Sequence, residues 1–453
     1  MNDIKLDIVL VIDNVEVEEF KEEQVSSIRL DPTTVTVELT TWEHIFALRG
    51  NVTVPRGDIT SSKVVTDALA AARGLRAPGL GAPGIRRVGA RRMRGSRTLV
   101  SVRGDQPAVH IRLQPSSDWD ALLVGCDDAP AIVAQLTRDA AAAGADEEIR
   151  FTGAGGGALS GSLRMPSELG ERPLPAALLI AGSGPVDRDG NAKRAPIGIQ
   201  AALADALART GVASLRFDRR GISDGTDWRQ AAFEDNTRDA AAALDALAAD
   251  PRIDASRLVV IGHSEGALHA LRLAVAQLRT PPVAVVLLSG TARRGDNVLL
   301  WQAEQIGPSL PAPVRGLLRV LRTDITAKTR ATHEKIRRTT TPVARIGGAR
   351  LNTGWFREFL DYDPRVDLEV LTVPTLAITG GKDVQAPPED LDVIAKLAPG
   401  PVDIHRPATL THLLRHDPAA LPSVRDYKRQ LREPVDPDTL QVVAGWVGTT
   451  LAD

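Results

Sequence analysis

Leu258-Val259-Val260-Ile261-Gly262-His263-Ser264-Glu265-Gly266 decides the reading of this chain. Its first four residues form an apolar, β-branched run that reads as a buried strand, and residues 267–278 behind it read as a helix. Ser264 lies between, with one residue separating it from a glycine on either side. Glycine has no Cβ, so the chain can reverse sharply at those two places without a clash. The serine hydroxyl is therefore expected at the tip of a tight strand-to-helix turn, pointing into open space.

Residues able to give that hydroxyl a chemistry follow in order. Residues 374–379 read as another buried strand, whose turn presents Asp383 at its carboxyl end. A helix over 388–397 and a strand over 401–405 then lead to Leu410-Thr411-His412-Leu413-Leu414. A serine hydroxyl is a poor nucleophile at neutral pH, so a neutral imidazole must take its proton and later return it to the leaving group. His412 is assigned that role, and Asp383 the role of holding the imidazole tautomer and stabilising the imidazolium. His416 is the rival base, but His416-Asp417-Pro418 reads as a solvent-facing turn before proline. His405 belongs to its strand, His263 occupies the variable position beside the serine as a packing residue, and His269 falls on the following helix as a core residue or one that supports the site from behind.

Attack on a carbonyl creates an oxyanion, which needs preorganised donors. The backbone N–H of Glu265 is one candidate. The other is the N–H of Ser183, in the glycine-rich loop 182–191 that follows an expected strand over 176–181. No Lys-Ser/Thr pair follows these glycines, so a phosphate-cradling loop is the weaker reading. Gly182, His263, Trp355 and Phe356 are the candidate substrate-pocket residues.

These motifs together resemble a known family. Gly-Ser-Gly-Pro-x-Asp-Arg-Asp-Gly-Asn at 182–191, Arg216-Phe217-Asp218-Arg219-Arg220-Gly221, Gly-His-Ser-Glu-Gly at 262–266, the segment 355–364 and Gly381-Lys382-Asp383 are similar to those of bacterial α/β-hydrolases of the serine esterase group, in the dienelactone-hydrolase and prolyl-oligopeptidase branch. Serine, acid, histidine is also the chain order of that fold. The resemblance spans about residue 147 to the end, and implies carboxylic-ester hydrolysis with Ser264, Asp383 and His412 as the triad.

Composition sets outer limits. A chain of 453 residues exceeds one ordinary domain. A formal charge of −2 argues against a nucleic-acid binder. The single cysteine, Cys126, rules out an internal disulfide framework and fits a reducing compartment. The apolar run 8–12 is too short to span a membrane and lacks the marks of a signal peptide, so a cytoplasmic location is expected. The histidines have no close metal-ligand spacing, and neither metal nor cofactor is expected.

The domain plan follows the change of pattern. Residues 139–148, alanine-rich and acidic, read as a linker. After it, short β-branched runs alternate with alanine-rich helical stretches over 149–453, the pattern of a mainly parallel sheet covered on both faces. Within that domain, 291–370 exceeds a simple crossover, and its apolar residues (Trp301, Leu310, Leu317, Trp355, Phe359) recur at helical spacing, so a helical cap is expected. Residues 30–138 carry short alternating runs (34–39, 42–48, 51–54, 98–102, 108–113) before a helix at 132–136, a mostly-β domain that resembles bacterial PH-like domains. Residues 1–29 form an extension. Nine arginines and no acid lie between 73 and 103, read as a glycine-rich loop or hairpin with a weak affinity for anionic lipid or an acidic partner.

Three functions from different classes fit these residues. The first is a serine hydrolase cleaving small-molecule carboxylic esters, with short acyl chains, through an acyl-enzyme. The second is an acyl-CoA thioesterase or acyltransferase using the same triad. The third is a non-catalytic scaffold whose N-terminal domain binds an anion or a partner.

Overall fold

A computed structural model describes residues 26–452 other than 32–33, 42, 45–49, 73, 83–85, 94–95, 105, 114–117, 143–144, 168–169, 171, 194, 310–323 and 420–422. The chain forms two compact units, one from most of the residues up to Thr137 and the other mainly from Arg138 onward.

The first unit is built on strands β1 (Ser27–Leu30), β2 (Thr34–Glu38), β3 (Val52–Pro55), β4 (Ile59–Val65), β5 (Leu75–Ala82), β6 (Arg86–Met93), β7 (Ser96–Arg103), β8 (Ala108–Leu113) and β9 (Ala121–Gly125), followed by helix Ala129–Ala142. They make a three-stranded sheet β1-β2-β3 and a six-stranded sheet β4-β8-β9-β7-β6-β5. Val35, Val37, Leu99, Ile111, Leu122 and Val124 fill the core beneath them. The arginine-rich stretch forms the antiparallel pairs β5–β6 and β6–β7, the hairpin alternative rather than the loop, and its cations are partly used within the unit. Arg86 pairs with Glu43 at 2.9 Å, Arg87 donates to the carbonyls of Leu69 and Ala72, and Arg97 lies over the Trp119 ring. Of the run 42–48, only Glu43 and His44 are described, and they are helical rather than extended. Residues 1–25 of the extension lie outside the described residues.

The stretch read as a linker holds regular structure instead. Helix Ala129–Ala142 continues into it, and β10 begins at Asp146. Alanine is the best helix former, so the composition that marks a linker also prolongs a helix.

The second unit is organised by one eight-stranded sheet. Its strands are β10 (Asp146–Thr152), β11 (Ala158–Arg164), β12 (Leu174–Ile180), β13 (Ala213–Phe217), β14 (Ile253–His263) and β15 (Ala284–Leu288), then, beyond a hairpin of β16 (Val343–Ile346) and β17 (Ala349–Asn352), β18 (Thr375–Ile378) and β19 (Val402–His405). The order across the sheet is β10-β11-β13-β12-β14-β15-β18-β19. From β13 to β19 all neighbours run parallel, and β10 and β11 pair antiparallel at one edge.

Strands buried on both faces carry continuous apolar runs, and successive side chains divide between the two layers. Leu178, Ile180, Leu258 and Val260 pack with helices Phe233–Ala248, Glu265–Val275 and Asp390–Leu397. Leu179, Val259 and Ile261 pack on the other face with helices Ile199–Ala208 and Pro437–Thr450.

Between β15 and β18 the chain makes helices Gly295–Ser309, Ile325–Arg337, Thr353–Asp361 and Pro364–Leu368 as well as the hairpin. The insertion is thus helical with one β-hairpin added. Leu310 and Leu317 lie outside the described residues. Phe359, Val298 and Trp355 from the insertion pack on Phe233 and Leu268 from two helices of the sheet's cover.

The turn after β14 is set by backbone contact. Ser264 has φ 58° and ψ −122°, a conformation that side chains rarely adopt, and it begins helix Glu265–Val275. A Cβ on Gly262 would lie 2.0 Å from the carbonyl oxygen of Gly266, and one on Gly266 would lie 2.2 Å from that of Ile180. Both glycines are required by this close approach. Gly266→Ala is expected to destabilise the second unit by about 1–3 kcal/mol through overpacking, read as a lower urea midpoint; an unchanged midpoint would show that the helix can withdraw from β12.

Candidate active site

Three loops at the carboxyl ends of parallel strands bring together the residues that the sequence singled out, as expected where a parallel sheet feeds its loops to one edge. The turn after β14 supplies Ser264, the turn after β18 supplies Asp383, and the segment beyond β19 supplies His412. His412 Nε2 lies 3.0 Å from Ser264 Oγ, and His412 Nδ1 lies 2.9 Å from Asp383 Oδ2. With Nδ1–H donating to the carboxylate, Nε2 is left to accept from the serine hydroxyl. His412 and Asp383 are buried, whereas Ser264 is partly open to solvent.

This is the α/β-hydrolase fold. Its sheet order, the strained serine after β14 and the acid and histidine after later strands fit together without rearrangement.

Burial alone would raise the Asp383 carboxyl's pKa, but the facing His412 and two backbone donors outweigh it and hold it below the usual carboxylate value. Those donors are the N–H groups of Gln385 at 2.7 Å and Ala386 at 2.8 Å, both on Oδ1. The acid is thus an anion at neutral pH, aimed at the imidazole by its own turn.

The histidine loop is held from behind. Arg415 is buried, and its guanidinium donates to the carbonyls of Leu413, Ile197 and Glu433. Burial lowers its pKa to about 10, which still leaves it charged. Thr411 donates to Gln430, and Leu414 adopts φ 52° to complete the turn. His416 contacts Asp436 and Thr409 and makes no bond to Ser264, so the rival base is placed in another network.

His263 turns inward. It is buried, its Nε2–H donates to the carbonyl of His412 at 2.9 Å, and the two rings lie 5.0 Å apart. Side chains alternate along a strand, which sends the residue before Ser264 inward to brace the histidine loop.

Gly182 comes close to the elbow, since a Cβ there would lie 3.4 Å from Ser264 Cβ and 3.6 Å from the His263 carbonyl. Ser183 follows it on an exposed stretch of loop. Glu265 opens its helix, where backbone N–H groups have no acceptor within the helix. Trp355 stacks on Phe359 at 4.6 Å and meets Phe356 edge-on at 4.9 Å, as part of the aromatic cluster around Phe233.

One buried network lay outside the sequence reading. Glu265, expected only through its backbone, turns its carboxylate inward to accept from Arg219 at 2.6 Å, and lies 2.9 Å from His269 Nε2. Burial opposes its charge, but Arg219 and His269 lower its pKa to about 2. Arg219 also donates to the Gly182 carbonyl at 2.7 Å. The motif 216–221 was visible in sequence, but nothing in it showed that its second arginine turns toward Glu265 and the Gly182 carbonyl.

Parts of this chain are similar to known proteins. Residues 196–419 match the family described as serine aminopeptidase, S33. Esterase EstD of Thermotoga maritima is 29% identical over 241 residues, 52% of this chain and 53% of that protein. The chain thus spans about half the length of this curated relative. Among solved structures, Est1E from Butyrivibrio proteoclasticus aligns with TM-score 0.45 and 16% identity, covering 68% of this chain and 99% of that one. The esterase domain of a Rhodothermus marinus protein aligns with TM-score 0.42 and 18% identity, covering 67% and 98%. No helix among the described residues is long and apolar enough to cross a membrane.

Burial, with the neighbouring His412, lowers the His263 pKa to about 3. The folded imidazole therefore stays neutral between its unfolded value, about 6.5, and about 3, whereas the unfolded chain binds a proton throughout that window. Stability is expected to fall as pH drops from 6.5 toward 3. Melting curves across that range should show a shallower fall in His263→Gln than in wild type; parallel curves would remove His263 from the acid sensitivity.

Proposed function

We propose that Ser264, His412 and Asp383 form a catalytic triad that hydrolyses small carboxylic esters. The observation that carries this reading is the unbroken hydrogen-bonded chain from the Ser264 hydroxyl through His412 to the Asp383 carboxylate. The likeness to a protein named as an esterase supports it.

Ser264 Oγ attacks the ester carbonyl carbon while His412 Nε2 takes the hydroxyl proton. The carbonyl π electrons move to oxygen, and this oxyanion accepts from the N–H groups of Glu265 and Ser183. On collapse, the bond to the alcohol oxygen breaks and the imidazolium gives that oxygen its proton. Water then attacks the acyl-serine, His412 takes a proton from it, and the second collapse returns that proton to Ser264 and releases the acid. Asp383 holds the tautomer and balances the imidazolium in both halves.

We further propose that the N-terminal unit is PH-like and serves binding rather than chemistry. Its successive strands followed by a closing helix support that reading.

Wild-type protein is expected to react with a fluorophosphonate and to turn over p-nitrophenyl esters, fastest with short acyl chains. Ser264→Ala should do neither. Asp383→Asn should keep the fold and lose on the order of 10⁴ in kcat, because the amide favours the wrong imidazole tautomer. Equal labelling of wild type and Ser264→Ala would overturn the triad.

A further inference from the structure

We propose that Arg219 is a positioning residue that sets the oxyanion site, by fixing the peptide between Gly182 and Ser183 and tying it to Glu265. The proposal rests on the triad reading above and concerns a side chain that takes no part in the proton transfers.

Among the described residues there are no cis peptide bonds, so the Gly182 carbonyl and the Ser183 N–H point in opposite directions across one rigid plane. Whatever holds the carbonyl therefore aims the N–H. Arg219 Nη1 donates to the Gly182 oxygen at 2.7 Å, and the backbone N–H of Arg219 donates to the Val186 carbonyl at 3.3 Å in the same loop. Gly182 and Gly184 offer no side chains to restrain this loop, and Gly184 adopts φ 90°. At Gly182 such outside contacts supply the restraint that a side chain would otherwise give.

The second nitrogen of the same guanidinium reaches the other donor's residue. Arg219 Nη2 donates to Glu265 Oε1 at 2.6 Å and lies 3.4 Å from His269 Nε2. Arg219 is 8% exposed and Glu265 5%, so this bridge lies out of water, where a charge-assisted bond is strong and directional. A guanidinium presents two nitrogens at fixed spacing, whereas an ammonium is a single point. One side chain thus registers the loop after β12 against the first turn of the helix after β14, which carry the two oxyanion donors. A donated bond at the carbonyl also polarises the peptide and strengthens its N–H as a donor.

The bland account is that Arg219 only neutralises a buried Glu265. Arg219→Lys keeps the positive charge without the two-pronged span, and Arg219→Met with Glu265→Gln removes both charges together, so that no carboxylate is left buried alone. Each variant is compared with wild type for kcat and KM on p-nitrophenyl acetate, for inhibition by an aryl trifluoromethyl ketone, and for melting temperature. The ketone adduct carries an oxyanion, whereas the bound ester does not.

The double variant is expected to lose on the order of 10- to 100-fold in kcat, with KM within about twofold. Its affinity for the ketone should fall in parallel with kcat, and Arg219→Lys should lie between it and wild type. Folded variants with kcat within twofold of wild type would overturn the proposal while leaving the triad in place. So would a loss shared equally by KM and ketone binding alongside a lower melting temperature, since that is the mark of a structural role. Absence of ester turnover in wild type would overturn the triad reading itself, and this proposal with it.

Discussion

The contact between the Ile180 carbonyl and the Cα of Gly266 governs the geometry of the site. At that distance no side chain fits, and the helix that begins at Glu265 is pressed against the end of β12. The serine before it must then turn through a backbone conformation of positive φ. Because β12 and β14 are neighbours in the sheet, the loop leaving β12 and the turn leaving β14 emerge side by side. The serine and the loop that faces it are adjacent for the same reason.

A second layer of constraint comes from charge. β13 and the segment after it grip the loop 182–191 at four places, one of them the bond from the Arg219 backbone N–H to the Val186 carbonyl. Arg216 donates to Asp189, Arg188 donates to Asp218, and Arg219 donates to Gly182. Two motifs that stand apart in sequence are therefore one mechanical assembly. Arg220 faces away from this clamp, pairing with Asp239 on the helix Phe233–Ala248. Isolated exposed ion pairs contribute little, but these are largely buried and share partners, so each restricts the next.

The parts of the fold legible from sequence were those whose cause is local. The run Leu258 to Ile261 and the two glycines around Ser264 carry their own explanation, as do the turn at Asp383 and the strand that leads to it. The alanine-rich stretch 139–148 was ambiguous because one composition suits both a linker and a helix end. The hairpin of β16 and β17 had a readable mark that the helical pattern around it masked: Gly347-Gly348, both at positive φ, is a two-residue turn between short strands. What His263, Arg219 and Arg415 bond to was not legible. Their partners lie 149, 37 and as many as 218 residues away, and no spacing rule reaches that far.

The backbone at Ser264 has a cost that falls on folding rather than on chemistry. A β-carbon at φ 58° is held there by the surrounding sheet and helix, and glycine would accept the same angles without strain. The position proposed for the nucleophile is therefore one where the folded backbone is strained. Selection for robustness alone would drift toward glycine at 264, and on the triad reading an alcohol there is a standing compromise between durability and use.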